Sequence, residues 1–137
     1  MGLALFWFTL VTAVVVTQWP FEYTLTRAWV AERWADVDWS IVHRTPAGRI
    51  RFDRDFAQNL AMLFPLGLGY GLWRRAGAVR VAVESLLVGL ATSVVLETAQ
   101  LATDHRYTQL PDVWRNTLGC VVGGMVALAI KRRAPRV

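Results

Sequence analysis

The residues able to do chemistry crowd into one stretch, Leu96 to Gly119, which reads L-E-T-A-Q-L-A-T-D-H-R-Y-T-Q-L-P-D-V-W-R-N-T-L-G. Glu97 and Gln100 stand three residues apart, Asp112 and Asn116 four apart. On helices each pair shares a face. Arg106 and Arg115 supply cations nearby. These residue types support three readings. As a structural staple, amides and carboxylates bond across helices at about 0.6 kcal/mol each in measured membrane cases. As a binding site, they offer donors and acceptors to a phosphate or sugar head. As an enzyme, Glu97 and Asp112 form an acid/base pair. A staple requires a closed core, and a binding site requires a groove.

The usual catalytic signatures, G-x-S-x-G and H-E-x-x-H, are missing, so no residue is assigned as catalytic. His43 and His105 fall in loops. A metal on Glu97, Asp104, His105 and Asp112 has no ligand spacing to support it, and nothing signals a cofactor.

Four apolar segments carry these groups, each near the roughly 20 residues that cross a bilayer. They are about Gly2 to Thr17, Phe56 to Trp73, Val81 to Leu101, and Val113 to Ile130. The expected fold is all-α, a small polytopic membrane protein with four transmembrane helices in a single domain over 1–137. The first segment has neither a basic flank nor an obvious cleavage site, so a retained helix is expected over a signal peptide. Between it and the second lies a long polar, aromatic connection, residues 18–54. Thr26 to Trp39 reads as a short interfacial helix, Thr45 to Gly48 as a turn, and Ile50 to Asp53 as an extended piece. Pro65 should kink the second helix.

Three stripes each share one helix face, the first two recurring every four residues. They are Asp55, Asn59, Leu63, Gly67 and Gly71; Ser85, Gly89, Ser93 and Glu97; and Asp112, Asn116, Gly119, Gly123 and Ala127. Gly67, Gly71, Gly119 and Gly123 are the expected helix-packing residues, because small side chains let backbones approach. The G-x-x-x-G face is expected to pack within the chain more readily than against a second copy.

The chain is 55% hydrophobic, too apolar for an ordinary soluble domain of 137 residues. Trp7, Trp19 and Trp73 suit lipid–water boundaries. The net charge of +5 does not form a stripe on a soluble face, so no nucleic-acid partner is expected. The lone Cys120 lies in an apolar run and reads as a packed core thiol. Arg74, Arg75, Arg80, Lys131, Arg132, Arg133 and Arg136 crowd into two short segments. Arg27, Arg33, Arg44, Arg49, Arg51, Arg54, Arg106 and Arg115 are mostly spread through one long loop. Density therefore favours both termini on the cytoplasmic side. That end shows no comparable set of acids and amides, and its cations are expected to be unpaired. Glu97 is expected to contact Asn116, Arg106 or Arg115.

These residues resemble the VanZ-like family of bacterial membrane proteins. The matching pieces are Asn59 with Phe64 to Gly67 (F-P-L-G), Glu97 and Gln100 (E-x-x-Q), Arg106, and Asp112, Asn116 and Gly119 (D-x-x-x-N-x-x-G). The resemblance is strongest over residues 55–127. Some members place an acid directly before the asparagine, where this chain has Gln58. The resemblance implies a multi-pass protein of the bacterial cell membrane, in a family named for a protein associated with low-level teicoplanin resistance. The expected site is Asn59, Glu97, Gln100, Arg106, Asp112 and Asn116 at the outer face. Its expected partner is a membrane lipid or a lipid-linked cell-wall component. The oligomeric state is not written in the sequence.

Overall fold

A computed structural model describes residues 1–133. Five helices follow one another: α1 (Gly2–Gln18), α2 (Arg27–Ala35), α3 (Arg54–Trp73), α4 (Ala78–Gln100) and α5 (Leu110–Arg133). The described residues hold isolated β-bridges and no strand. The all-helical expectation therefore stands. α4 and α5 are long and apolar enough to cross a membrane, yet only 28% and 44% of their most apolar stretches is buried inside the protein. α1 is apolar over 17 residues. α3 has 20 residues and a charged first turn.

Local chemistry sets the helix ends. The Asp53 carboxylate accepts the Phe56 N–H at 3.1 Å and starts α3, and that bond holds the Asp53 carboxyl below its usual range. The Thr26 hydroxyl caps α2 through the Trp29 N–H, and α2 stops at Ala35, short of the expected Trp39. α3 continues through Pro65 as helix. Proline has no N–H, so the carbonyl of Ala61 loses its intrahelical partner.

The core runs along α5, which packs against α3 on one side and α4 on the other, while α1 lies on α3. Glycine makes the α3–α5 contact possible. A Cβ added at Gly119 would collide with the Leu60 carbonyl, one at Gly123 with the Phe64 carbonyl, and one at Gly67 with the Cys120 carbonyl. A Cβ at Gly71 would meet Ala127 at 2.7 Å. All four expected packing glycines thus lie at close backbone contacts within the chain. Gly69 does the same toward α1, where a Cβ would lie 2.6 Å from the Phe6 nitrogen. Cys120, Leu63 and Leu66 are fully buried beside the seam.

Both described ends of the chain meet at one end of the bundle. Gly2 backs onto Trp73, and the Lys131 ammonium donates to the Gly71 and Arg74 carbonyls at 2.8 and 2.6 Å. A cation there satisfies carbonyls left free at the C-terminus of α3. Arg136 lies outside the described residues.

The long connection docks on the opposite end. Thr24 N–H donates to the Ala102 carbonyl at 2.7 Å, Asp38 N–H to Thr108 at 3.2 Å, and Leu110 N–H to Asp38 at 2.9 Å. Trp114 Nε1 donates to the Ile41 carbonyl at 2.6 Å, and Arg33 sits 4.7 Å over the Tyr107 ring. The Thr45–Gly48 turn closes through Gly48 N–H on Thr45 at 2.8 Å, with Gly48 at φ 77°. Ile50 pairs with Arg44 across it, the whole of the extended piece expected there. The Asp38 carboxylate is held by His43 at 2.6 Å and by the Ser40 N–H at 2.9 Å, which lower its pKa to about 2.

Two outcomes follow. Gly119→Ala must push α3 off α5, and overpacking of this kind costs about 1–3 kcal/mol. Gly77 has open space around it. Thermal unfolding in detergent should therefore show a clear loss for Gly119→Ala and little for Gly77→Ala; equal melting temperatures would show that the seam yields. The Asp38 carboxyl has a folded pKa below its ordinary value near 3.8. Its contribution is complete above that value and lost as pH falls toward 2. Hydrogen-exchange protection at Ser40 and Leu110 should hold from pH 7 to about 4, then drop, and Asp38→Asn should lower it at pH 7. Full protection at pH 2.5 would rule out Asp38 as the clasp.

Candidate functional site

The expected site residues come together at the docked end of the bundle, but they divide into two groups. Asn116 is fully buried, and its Nδ2 donates to the Ser93 hydroxyl at 3.1 Å. This bond crosses from α5 to α4 behind the seam, where no ligand could reach it. Its Oδ1 has no partner among the described residues. Asn116 is therefore a staple. Gln18, which sequence reasoning passed over, is another: its Nε2 donates to the Leu96 carbonyl at 3.2 Å and ties α1 to α4.

The other five, Asn59, Glu97, Gln100, Arg106 and Asp112, line one groove of about 970 Å³. Glu97 is only 6% exposed, at the end of the small-residue stripe of α4. Its Oε2 accepts the Gln109 N–H at 3.1 Å, and Thr108 Oγ1 donates to its carbonyl at 3.0 Å. The expected contact with Asn116 or an arginine is thus overturned. Asn116 faces Ser93, one turn further down α4. Arg115 is spent on Asp112, and Arg106 Nη2 donates to the Val16 carbonyl at 3.1 Å. A main-chain amide fills the role instead, and a main-chain amide has no sequence signature.

Asp112 lies beside Asn59 across the α3–α5 seam, and its Oδ1 accepts from Arg115 Nη1 at 3.1 Å. Arg115 is 1% exposed and lies 5.5 Å from the Phe56 ring and 5.7 Å from the Trp114 ring. Burying such a cation is costly unless an anion answers it. Asp112 answers it and has acceptor sites left toward the groove. Gln100 is buried next to Glu97. Asp55 and Gln58 add to the rim from the first turns of α3.

Below this rim the walls are apolar, with Leu5, Phe8, Ala13 and Val16 from α1 facing Ala61, Met62 and Pro65 from α3. Thr9 and Thr12 also line it, but their hydroxyls donate to the Leu5 and Phe8 carbonyls at 2.8 and 2.9 Å, so mainly their methyls remain to face it. The α1 wall was missed from sequence. The signal was present: the three threonines of α1, Thr9, Thr12 and Thr17, lie on one side of the helix and all line the groove. Pro65 was a second signal, on the facing wall with Ala61.

His105 reaches the rim, yet its Nε2 pairs with Asp104 at 2.9 Å and Glu22 at 3.2 Å on the exposed side. These three are within reach of one another, and the set considered from sequence, with Glu97 and Asp112, is not assembled.

The opposite end also corrects the sequence reading. Glu84 accepts from Arg74 Nη2 at 2.8 Å, Arg74 Nε at 3.0 Å, Arg80 Nε at 2.9 Å and Tyr70 Oη at 3.1 Å. Arg74 and Arg80 are therefore paired, where unpaired cations were expected. Glu84 holds the Arg74 guanidinium protonated more firmly than usual. The i, i+4 spacing of Arg80 and Glu84 was a signal available in the sequence.

A search among curated proteins and another among solved structures returned no match. A family model described as VanZ/LLP1 matches residues 5–131, reaching back through the long connection and into α1. With the match covering nearly all of the chain, the protein belongs to the VanZ/LLP1 family.

Proposed function

We propose that this chain is one membrane domain of the bacterial cell membrane, with α1, α3, α4 and α5 as four spans and both termini cytoplasmic. We further propose that its groove holds the polar head of an envelope lipid or lipid-linked cell-wall component. Support for the spans comes from the outward faces of α1, α4 and α5. Val11, Val83, Leu87, Leu90, Val95, Leu118 and Val122 are exposed there, more large apolar surface than water favours. Support for the orientation is the cation density of the two short segments at the end where the chain's described termini meet.

The observation that carries the binding reading is the groove itself. Polar groups ring one end, and apolar side chains continue beneath them along α1 and α3. A lipid has the same division. The rim holds three carboxylates, Asp55, Glu97 and Asp112, against the single arginine Arg106. Such a rim favours a head that donates hydrogen bonds, a sugar or an ammonium, over a phosphate. A staple would need none of this. Asn116 and Ser93 already hold α4 to α5, and further polar groups cost desolvation.

Native mass spectrometry of the purified protein with a glycosylated lipid and with an anionic phospholipid tests the reading. Glu97→Gln should weaken the glycosylated adduct about tenfold, the scale of one charged hydrogen bond. Asn116→Ala should lower the melting temperature and leave the adduct unchanged. If Glu97→Gln lowers stability and leaves every lipid adduct intact, the groove is structural. If the protein turns over the lipid and Glu97→Gln abolishes turnover with the fold intact, it is an enzyme. For orientation, cysteines placed one at a time in a Cys120→Ala background should decide. Ala47→Cys should react with an impermeant reagent outside intact cells and Gly77→Cys should not; the reverse pattern would invert the protein.

A further inference from the structure

A second cavity, of about 980 Å³, opens at the other end of the bundle, where the described chain ends meet. Its walls come from the first turn of α1, the end of α3, the α3–α4 turn and the last turn of α5. Among the described residues four cations line it, Arg74, Arg75, Lys131 and Arg132, and no carboxylate does. Glu84 engages Arg74 and Arg80 and is not part of the lining. Lys131 uses two of its three donors on the Gly71 and Arg74 carbonyls, which leaves one free and the charge undiminished. Gly77 and Ala78 bring the N-terminus of the 23-residue helix α4 to the same wall, and its cap residue, Gly77, has no side chain to bond the free N–H groups. Leu72, Trp73 and Leu128 form the apolar part of the lining.

We propose that this cavity is a binding site for a phosphate-bearing anion, the head of an anionic phospholipid. Three features meet in it: an excess of cations, a helix N-terminus whose amides are uncapped, and apolar side chains placed for the glycerol and first methylenes. Arg75 is exposed and free to turn its fork onto two phosphate oxygens. Lys131 and Arg74 are held in place by their other bonds, so the site is largely formed before the anion arrives. The lipid source depends on the membrane placement proposed above, and the anion chemistry does not. The site is independent of the groove at the far end, whose rim carries the opposite charge.

Native mass spectrometry of the full chain with dioleoyl phosphatidylglycerol and with dioleoyl phosphatidylcholine reads the site. The phosphatidylglycerol adduct should predominate. Arg75→Gln and Arg132→Gln should each reduce it about fivefold, the scale of one cation near an anionic lipid. Arg133→Gln removes the same charge from the exposed end of α5 but not from the cavity lining, and should change it little. Neither Arg75 nor Arg132 holds a bond of the fold described above, and unchanged melting temperatures in lipid-free detergent would verify that. Equal losses from all three variants would mean surface charge alone and would overturn the site. Equal adducts from the two lipids would overturn it as well. Inorganic phosphate distinguishes the sources. If millimolar phosphate raises the melting temperature of the unaltered protein and not of Arg75→Gln, and phosphatidylglycerol adds nothing, the anion is a free phosphate and not a lipid.

Discussion

The contact between the backbones of α3 and α5 governs the rest of the molecule. Gly67, Gly119 and Gly123 bring the carbonyls of Cys120, Leu60 and Phe64 to distances that no Cβ permits. Backbones this close gain dispersion contacts along the whole seam. The contact also sets the site. Gly119 holds α5 against Leu60, one residue beyond Asn59. The start of α5 is therefore pinned beside the start of α3, and Asp112 meets Asn59. The same seam leaves α1 to lie on the outer face of α3 through Gly69, which creates the apolar wall of the groove. One interface thus fixes both the polar rim and the cavity beneath it.

Polar groups inside an apolar bundle cost desolvation, and those of this bundle are arranged by depth. Deepest is the Asn116–Ser93 pair between α5 and α4. Next comes Arg115, its charge met by Asp112 and its flanks by Phe56 and Trp114. Outermost is Glu97, bonded by the Gln109 amide as the chain enters α5. The docked connection belongs to this order, because Asp38 pairs through its backbone with Thr108 and Leu110 on either side of Gln109. The connection is therefore more than a linker: it frames the loop whose amide holds Glu97.

Much of this was written in the sequence. The four-residue recurrence of Ser85, Gly89, Ser93 and Glu97, and the shared face of Asn116, Gly119, Gly123 and Ala127, named the buried faces of α4 and α5, since small and polar residues inside an apolar run have few other uses. The motif residues Asn59, Glu97, Gln100, Arg106 and Asp112 were found as a set because their helix ends share one level. What could not be read is main-chain chemistry, and what was not read is the orientation of α1. Gln109's contribution is its N–H, which every residue but proline has. The groove-facing side of α1 was marked only by Thr9, Thr12 and Thr17, whose spacing was not read as a stripe. The Glu84 network needed the short turn between α3 and α4 to bring Arg74 to it, although Arg80 at i, i+4 was visible.

The three carboxylates of the rim are not equivalent, and under the proposed binding reading the difference singles out one of them. Asp112 is committed to a fully buried arginine, and withdrawing it would strand that charge. Asp55 is exposed in the first turn of α3, where water competes for it and the helix N-terminus already favours its charge. Glu97 is buried, faces the groove, and has one neutral amide donor on one oxygen. A carboxylate offers about four acceptor sites, so most of its capacity is unspent where water is scarce. An incoming hydroxyl or ammonium would gain most there. The arginine beside it, Arg106, is exposed and tethered to the last turn of α1 through Val16. It is thus placed at the mouth, where a head group would pass before reaching Glu97.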